Sequence, residues 1–365
     1  MSKLPDIINL VKKTVQELKP YQAENIQCRI KLDAMENPYP LPESLMKKIS
    51  EEIGRIKINR YPDPSASRLK SIISAQTDIS TDNIIIGNGS DELIQMILTV
   101  FGDPSPQSLS GEQGDRVLFP VPTFSMYGII SKSLSLKDEV VPLSEDWEIQ
   151  LDKFLSEMER VKPKVIFISY PNNPTGNCFN RESILKILKK ASGIVVIDEA
   201  YYDFSKKTFL PYLKEYKNLI ILRTLSKIGM AGLRVGYLMA DSEICRELNK
   251  VRLPYNSNSV SQEIAGIILE NRTEVDRQIA SIILERERLM DGLKGIKDIE
   301  PFSSETNFIL FKTDKNSKEI FDKLLDSGIL IRNFGDDIYL KNSLRVTIGA
   351  PDENNEFLKT LNKIL

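Results

Sequence analysis

Apolar residues recur through the middle of this chain in short, nearly continuous runs: "NIIIG" (83–87), "DRVLFP" (115–120), "KVIFISY" (164–170), "GIVVIDEA" (193–200), "NLIILRTL" (218–225) and "RVGYLMA" (234–240). Several are followed by segments with helical spacing, such as "SDELIQMILTVF", "TFSMYGIISKSL" and "RESILKILKKA". Strands that are apolar on both faces and alternate with helices predict an α/β fold with a mostly parallel sheet covered on both sides. At the start, Ile7, Ile8, Leu10, Val11, Val15 and Leu18 recur near the helical period and are closed by Pro20, which predicts an amphipathic helix. Beyond residue 258 a long helical pattern precedes strand-like "NFILF", "ILIRN" and "SLRVTIG" mixed with helices. The pattern divides the chain into an N-terminal arm that also feeds a small domain (1–40), a large domain (41–257) and a small C-terminal α+β domain (258–365).

Composition narrows the chemistry. The 365 residues suffice for a large core, and 41% hydrophobic with 27% charged content is ordinary for a globular protein. A net charge of −2 gives no electrostatic case for nucleic acid or an anionic membrane surface. Cys28, Cys178 and Cys245 are widely spaced, which predicts neither a disulfide framework nor a metal site. The opening "MSKLPDIINLVKKTV" carries charges inside its apolar pattern, unlike a signal peptide, and a cytoplasmic location is expected. The chain contains no histidine. Every mechanism that needs imidazole is excluded, so acid–base work falls to Lys, Tyr, Cys, a shifted carboxylate or a cofactor.

Ligands of open parallel sheets sit beyond the carboxyl ends of the strands, so the loops there carry the candidates. "NGSDE" (88–92) opens a helix whose free N–H groups suit an anion, although Ser90 or Asp91 could equally be an ordinary cap. "PNNPTG" (171–176) is a stiff loop able to aim Asn173, or a plain tight turn. In "DEAYYDF", Asp198 ends an apolar strand, where a carboxylate needs a cation or strong donor unless it only caps; Tyr201 follows within reach. "TLSKIGMAGLRVGY" supplies Ser226, Lys227 and Arg234, an amine with phosphate-binding groups, although a lone lysine there could be an exposed one. Together these are an amine nucleophile, a buried carboxylate, an aimed amide and a phosphate cradle. A pyridoxal phosphate site needs those parts and no histidine.

The order NGSDE, PTFSMY, PNNPTG, DEAYYDF, TLSK and GLRVGY resembles the fold-type-I pyridoxal-phosphate-dependent aminotransferases. "KPYQ" (19–22), "LDAMENPYP" (32–40), "NRYPDP" (59–64), "SETNFILF" (304–311), "GILIRNFG" (328–335) and "SLRVTIG" (343–349) extend the likeness nearly end to end, toward the histidinol-phosphate aminotransferase branch. The resemblance implies transfer of an amino group between histidinol phosphate and 2-oxoglutarate, a step in histidine biosynthesis, with pyridoxal 5'-phosphate as cofactor. It implies that Lys227 bonds the cofactor and shuttles a proton, that Asp198 pairs with the pyridine nitrogen, and that Tyr201 and Asn173 donate to the phenolic oxygen. Ser90, Asp91, Ser226 and Arg234 fall where the phosphate is held, and Phe124 where an aromatic stacks on the ring. Tyr61 is similar to a tyrosine that reaches the phosphate of a partner subunit, implying a homodimer with shared active sites. Tyr21, Arg332 and Arg345, with Asn173, fall on the substrate side, Arg345 as the anion clamp. No metal, nucleic acid or membrane partner is implied.

The chain departs from the family at Phe124, often tyrosine, at Met35, often asparagine, and at Pro40, often glycine. The interval from Lys227 to Arg234 is also one residue short. An aromatic-amino-acid aminotransferase and an amino-acid-phosphate decarboxylase would share this fold and site. A non-catalytic cofactor-binding protein is disfavoured because Lys227, Asp198, Tyr201 and Arg234 are all retained.

Overall fold

A computed structural model describes residues 7–18, 26–105, 114–335 and 337–365. In chain order its strands are β1 (Ile30–Lys31), β2 (Ile84–Asn88), β3 (Arg116–Val121), β4 (Lys137–Pro142), β5 (Val165–Ser169), β6 (Ile194–Asp198), β7 (Leu219–Thr224), β8 (Val235–Ala240), β9 (Ile299–Pro301), β10 (Phe308–Thr313), β11 (Ile329–Leu330), β12 (Arg332–Asn333) and β13 (Ser343–Thr347). Seven form the central sheet in the order β2-β8-β7-β6-β5-β3-β4. Its neighbours pair in parallel except at β8, which runs antiparallel to both β2 and β7.

The apolar runs end up buried on both faces because alternate residues feed two cores. Ile166, Ile168, Val195, Ile197, Leu219 and Ile221 enter one, while Val165, Phe167, Val196, Ile220 and Leu222 enter the other. The period-two alternation of side chains across a strand divides them. β4, "KDEVVP", sits at the sheet edge and is mostly unburied, so its charged sequence lacks the apolar signature of its neighbours.

A second sheet, β12-β13-β10-β9, is antiparallel, and β1 pairs with β11 in parallel through Ile30↔Ile329 and Lys31↔Leu330. The segment around residues 30–35 is therefore stitched to the C-terminal part: the Thr347 N–H donates to Leu32 O at 2.8 Å and the Asn307 amide to Met35 O at 2.9 Å. The long helical pattern after residue 258 divides into Ser259–Glu270 and Thr273–Lys294. The first of these packs on helices Glu43–Ile53 and Ser67–Thr77, the second on the C-terminal helix Pro351–Ile364.

The expected N-terminal amphipathic helix is replaced by two short pieces, Ile7–Leu10 and Lys13–Gln16. Lys12 between them is extended at φ −54° and ψ 135°, and Ile8 and Leu10 are exposed. With that apolar stripe lacking a buried counterpart, propensity alone does not sustain one helix over so few residues. No helix among the described residues is long and apolar enough to cross a membrane.

Candidate active site

The loops beyond the carboxyl ends of β2, β3, β5, β6 and β7 converge on one cavity of about 240 Å³. Lining it are Ser90, Asp91, Phe124, Asn173, Asp198, Tyr201, Ser226, Lys227 and Arg234, together with Ala34, Met35, Glu36 and Ser169. Arg234 joins because β8 is reversed: its first residues lie at the same sheet edge as the ends of β2 and β7, through the pairs Asn88↔Val235 and Thr224↔Gly236.

Asp198 is the last residue of β6 and is 3% exposed. The Tyr127 hydroxyl donates to its Oδ2 at 2.7 Å and the Ala200 N–H to its Oδ1 at 3.1 Å. Burial pushes the carboxyl up to about 6, and those two donors oppose the rise. Lys227 follows β7 in a short helical turn, and among the described residues its amine has no hydrogen-bond partner. Burial and then the positive charge of Arg345 push the Lys227 ammonium down to about 8, with Asp91 and Glu36 opposing. An amine so placed is a nucleophile over a useful part of the neutral-to-basic range.

At the other end of the cavity, Ser90 and Asp91 form the first turn of helix Ser90–Phe101, whose N-cap Gly89 has φ +80° and provides no side-chain cap. The Arg234 guanidinium lies beside it, 3.4 Å from Asp91 Oδ2. Ser226 is buried with its hydroxyl 2.9 Å from that of Thr224. Asn173 is buried and its Oδ1 accepts from Arg345 Nη1. Tyr201 is buried edge-on to Phe308, with the Lys227 Nζ 5.7 Å from its ring centre.

A neighbouring cavity of about 430 Å³ shares Met35, Phe124 and Asn173 with the first and is lined by Arg332 and Arg345. These arginines are cross-strand partners on β12 and β13, so their side chains share one face of the sheet. Arg345 is buried between Phe308 and Phe334, 5.2 and 5.4 Å from the ring centres, and its Nη2 donates to Asp33 O at 3.1 Å. Two sequence candidates are not part of this constellation. Tyr61 is 80% exposed and stacks on Tyr255 with ring centres 4.3 Å apart. Tyr21 lies outside the described residues.

Two features escaped the sequence reading. Tyr127, beside Asp198, had a signal only in its place three residues after Phe124; nothing local named its acceptor. Glu199 and Arg223 form a buried ion pair at 2.8 Å, with Arg223 also 3.7 Å from the Tyr202 ring centre. Asp198 and Glu199 are adjacent and point to opposite sides, so one carboxylate faces the cavity and the other meets a cation within the fold. An arginine inside the apolar run "NLIILRTL" was the available sign that a buried acid must exist.

A phosphorylated pyridine aldehyde fits this donor set. At the anion end, an alanine Cβ at Gly89 would lie 2.6 Å from Arg234 Nη2, and one at Gly236 would lie 2.6 Å from Ser90 N, so the missing side chains leave the backbone N–H groups and the guanidinium close together. Asp91 Oδ1 is buried without a hydrogen-bond partner, an acceptor that a donor on a bound group or water would satisfy. At the ring end, Phe124 offers an aromatic face, Asp198 an acceptor and Lys227 an amine.

The family model for aminotransferase class I and II matches residues 29–361. The histidinol-phosphate aminotransferase of Caldanaerobacter subterraneus subsp. tengcongensis is 41% identical over 360 residues, 98% of this chain and 99% of that protein. The crystal structure of the histidinol-phosphate aminotransferase from Clostridium acetobutylicum matches with a TM-score of 0.82 at 27% identity, covering 92% of this chain and 98% of that one. That of the enzyme from Sinorhizobium meliloti, in complex with pyridoxal-5'-phosphate, matches in fold with a TM-score of 0.86 at 21% identity over 97% of both chains.

Proposed function

The chain belongs to the aminotransferase class I and II family, and from that premise we propose that it is a histidinol-phosphate aminotransferase. It transfers an amino group between L-histidinol phosphate and 2-oxoglutarate, giving imidazole acetol phosphate and L-glutamate, with pyridoxal 5'-phosphate as cofactor. The observation that carries this reading is the joining of two cavities through shared Met35, Phe124 and Asn173. One has the amine, carboxylate and anion cradle; the other has two arginines for an anionic substrate.

The cofactor, when bound, supplies an aldehyde for amine exchange and a ring that withdraws electrons from the reacting carbon. Lys227 is positioned to bond that aldehyde and to carry a proton at Nζ, and its lowered pKa of about 8 supports both duties. Asp198 would hold a proton on the ring nitrogen, Tyr201 and Asn173 would orient the phenolic oxygen, and Phe124 would cover one ring face. The backbone N–H groups of Ser90 and Asp91, with the side chains of Ser226 and Arg234, would anchor the phosphate. Arg345 and Arg332 would orient a phosphate monoester in one half-reaction and a dicarboxylate in the other, since a planar guanidinium bonds either in bidentate fashion. Burial of Arg345 against Phe308 and Phe334 keeps water from competing for that anion.

A homodimer belongs to the same proposal. Tyr61 is exposed beside Tyr255, with Ile58 and Leu253 exposed nearby in sequence, and this favours its reaching the site of a second copy. A place in histidine biosynthesis, in keeping with the relatives' shared name, belongs to the reading, and a cytoplasmic location is part of the same proposal. The test is to follow purified protein with histidinol phosphate and 2-oxoglutarate. Glutamate should form in step with imidazole acetol phosphate. Carbon dioxide release from an amino-acid phosphate, or efficient turnover of aromatic amino acids alone, would replace the proposal.

A further inference from the structure

We propose that Tyr127 is a positioning residue for the reaction: its phenol holds and partly neutralises the Asp198 carboxylate, so that the proton between that carboxylate and the cofactor's ring nitrogen stays on the nitrogen. The inference rests on reading Asp198 as the ring-nitrogen partner.

Tyr127 lies on helix Met126–Ser133 and is fully buried. Its hydroxyl is 2.7 Å from Asp198 Oδ2, while the Ala200 N–H takes Oδ1 at 3.1 Å. Each carboxylate oxygen then has one protein donor and keeps lone-pair capacity for an N–H from the cavity. The Tyr127 ring is clamped by aromatics, stacked on Phe167 at 4.5 Å and edge-on to Phe119 at 6.0 Å and Phe124 at 5.5 Å. The phenol is therefore fixed relative to Asp198, and Phe124 ties the clamp to the cavity wall.

The charge balance gives the donor a purpose. Burial pushes Asp198 up, which would favour moving a shared proton from the ring onto the carboxylate and would weaken electron withdrawal. The ionisable groups acting on Asp198 come from separate elements. Tyr127 donates from its helix, Asp91 repels from the helix after β2, and Lys227 attracts from the turn after β7. Tyr201, after β6, acts on the Tyr127 phenol, as does the Ser169 hydroxyl on β5. Burial and Asp198 raise Tyr127 well above its usual value, so the phenol keeps its proton and donates at every pH at which the enzyme would work. In a chain without histidine, tyrosine supplies this buried donor.

The experiment uses holoenzyme carrying cofactor labelled with 15N in the ring, in wild type, Asp198→Asn and Tyr127→Phe, with kcat, KM and thermal midpoint measured on each. Phenylalanine keeps the clamp and removes only the hydroxyl. In Asp198→Asn the ring resonance should move to the unprotonated position. In Tyr127→Phe it should move part of the way, with kcat reduced about tenfold, the equivalent of about one pH unit of proton affinity, and KM and thermal midpoint little changed. If Asp198→Asn leaves the resonance in place, the reading of Asp198 fails. If Asp198→Asn moves it and Tyr127→Phe does not, Tyr127 only packs and the present inference is overturned. A large drop in thermal midpoint with an unmoved resonance overturns it in the same way.

Discussion

Replacing Asp198 by asparagine should make the cofactor-free protein more stable while making the enzyme worse. Asp198 is 3% exposed and its carboxyl is raised from 3.8 to about 6, mainly by burial. A raised acid disfavours the native state once it ionises. The penalty is absent well below pH 3.8, grows between the unfolded and folded values, and is complete above about 6. At 1.36 kcal/mol per pH unit the full penalty is about 3 kcal/mol, and the same linkage leaves about 1 kcal/mol of it at pH 4.5. Asparagine has nearly the same shape, still accepts from the Ala200 N–H or the Tyr127 hydroxyl, and never ionises. Its stability relative to wild type should therefore climb by about 2 kcal/mol between pH 4.5 and pH 8, on top of any constant offset from the amide. Urea unfolding of cofactor-free wild type and Asp198→Asn at several pH values in that range reads the difference directly. Turnover of the reconstituted variant should fall sharply, because the ring nitrogen would lose its proposed anionic partner. A stability difference that is flat or falling with pH would refute the burial argument.

Arg345→Lys keeps the charge and loses the planar fork, so kcat/KM should fall for both glutamate and histidinol phosphate, on the order of 10–100-fold; a loss of thermal stability with both constants unchanged would assign Arg345 to structure alone. Gly236→Ala places a Cβ 2.6 Å from the Gly89 carbonyl carbon and Ser90 N, where backbone must yield; cofactor affinity measured by fluorescence should drop with stability, and an unchanged affinity would refute the close approach. Lys227 has a folded value of about 8 against 10.5, so its penalty on the fold is complete below 8 and is relieved as pH rises toward 10.5. Cofactor-free wild type should gain stability over that window relative to Lys227→Met, by about 3 kcal/mol at most, and parallel urea midpoints would rule this out. Borohydride reduction of the holoenzyme should fix the cofactor on the peptide containing Lys227; a label on another lysine would displace it from its proposed role.

The central sheet was legible because its strands are apolar on both faces, and the runs 193–200 and 218–225 enclose β6 and β7 to within two residues at either end. The edge strand β4 was invisible for the converse reason: Lys137, Asp138 and Glu139 face too little core to need apolar side chains. Reversal of β8 left no trace in the run "RVGYLMA", since both faces are buried in either direction. Ser90, Asp91, Asn173, Asp198, Tyr201, Ser226, Lys227 and Arg234 could be read from the segments that follow strands, where chemistry sits on rigid supports, but Ala34 and Glu36 on the N-terminal side of the cavity could not. Tyr127, Glu199 and Arg223 could not. Each is explained only by a partner brought in by tertiary packing, and a buried polar side chain does not name its partner in one dimension.

The pairing of β1 with β11 joins Ile30 to Ile329, and Arg345 reaches Asp33 O. During synthesis the anion cradle and the amine are available once residue 234 has emerged, but the arginine face cannot assemble until nearly the whole polypeptide is out. The segment near residue 30 must then find a strand made about 300 residues later, a closure of the slow, long-range kind. Helices and central sheet can form beforehand, as domains do on the ribosome. A chain cut short before β13 would thus retain the residues proposed to anchor a cofactor's phosphate and to bond its aldehyde, and would lack Arg345, the residue proposed to hold the substrate.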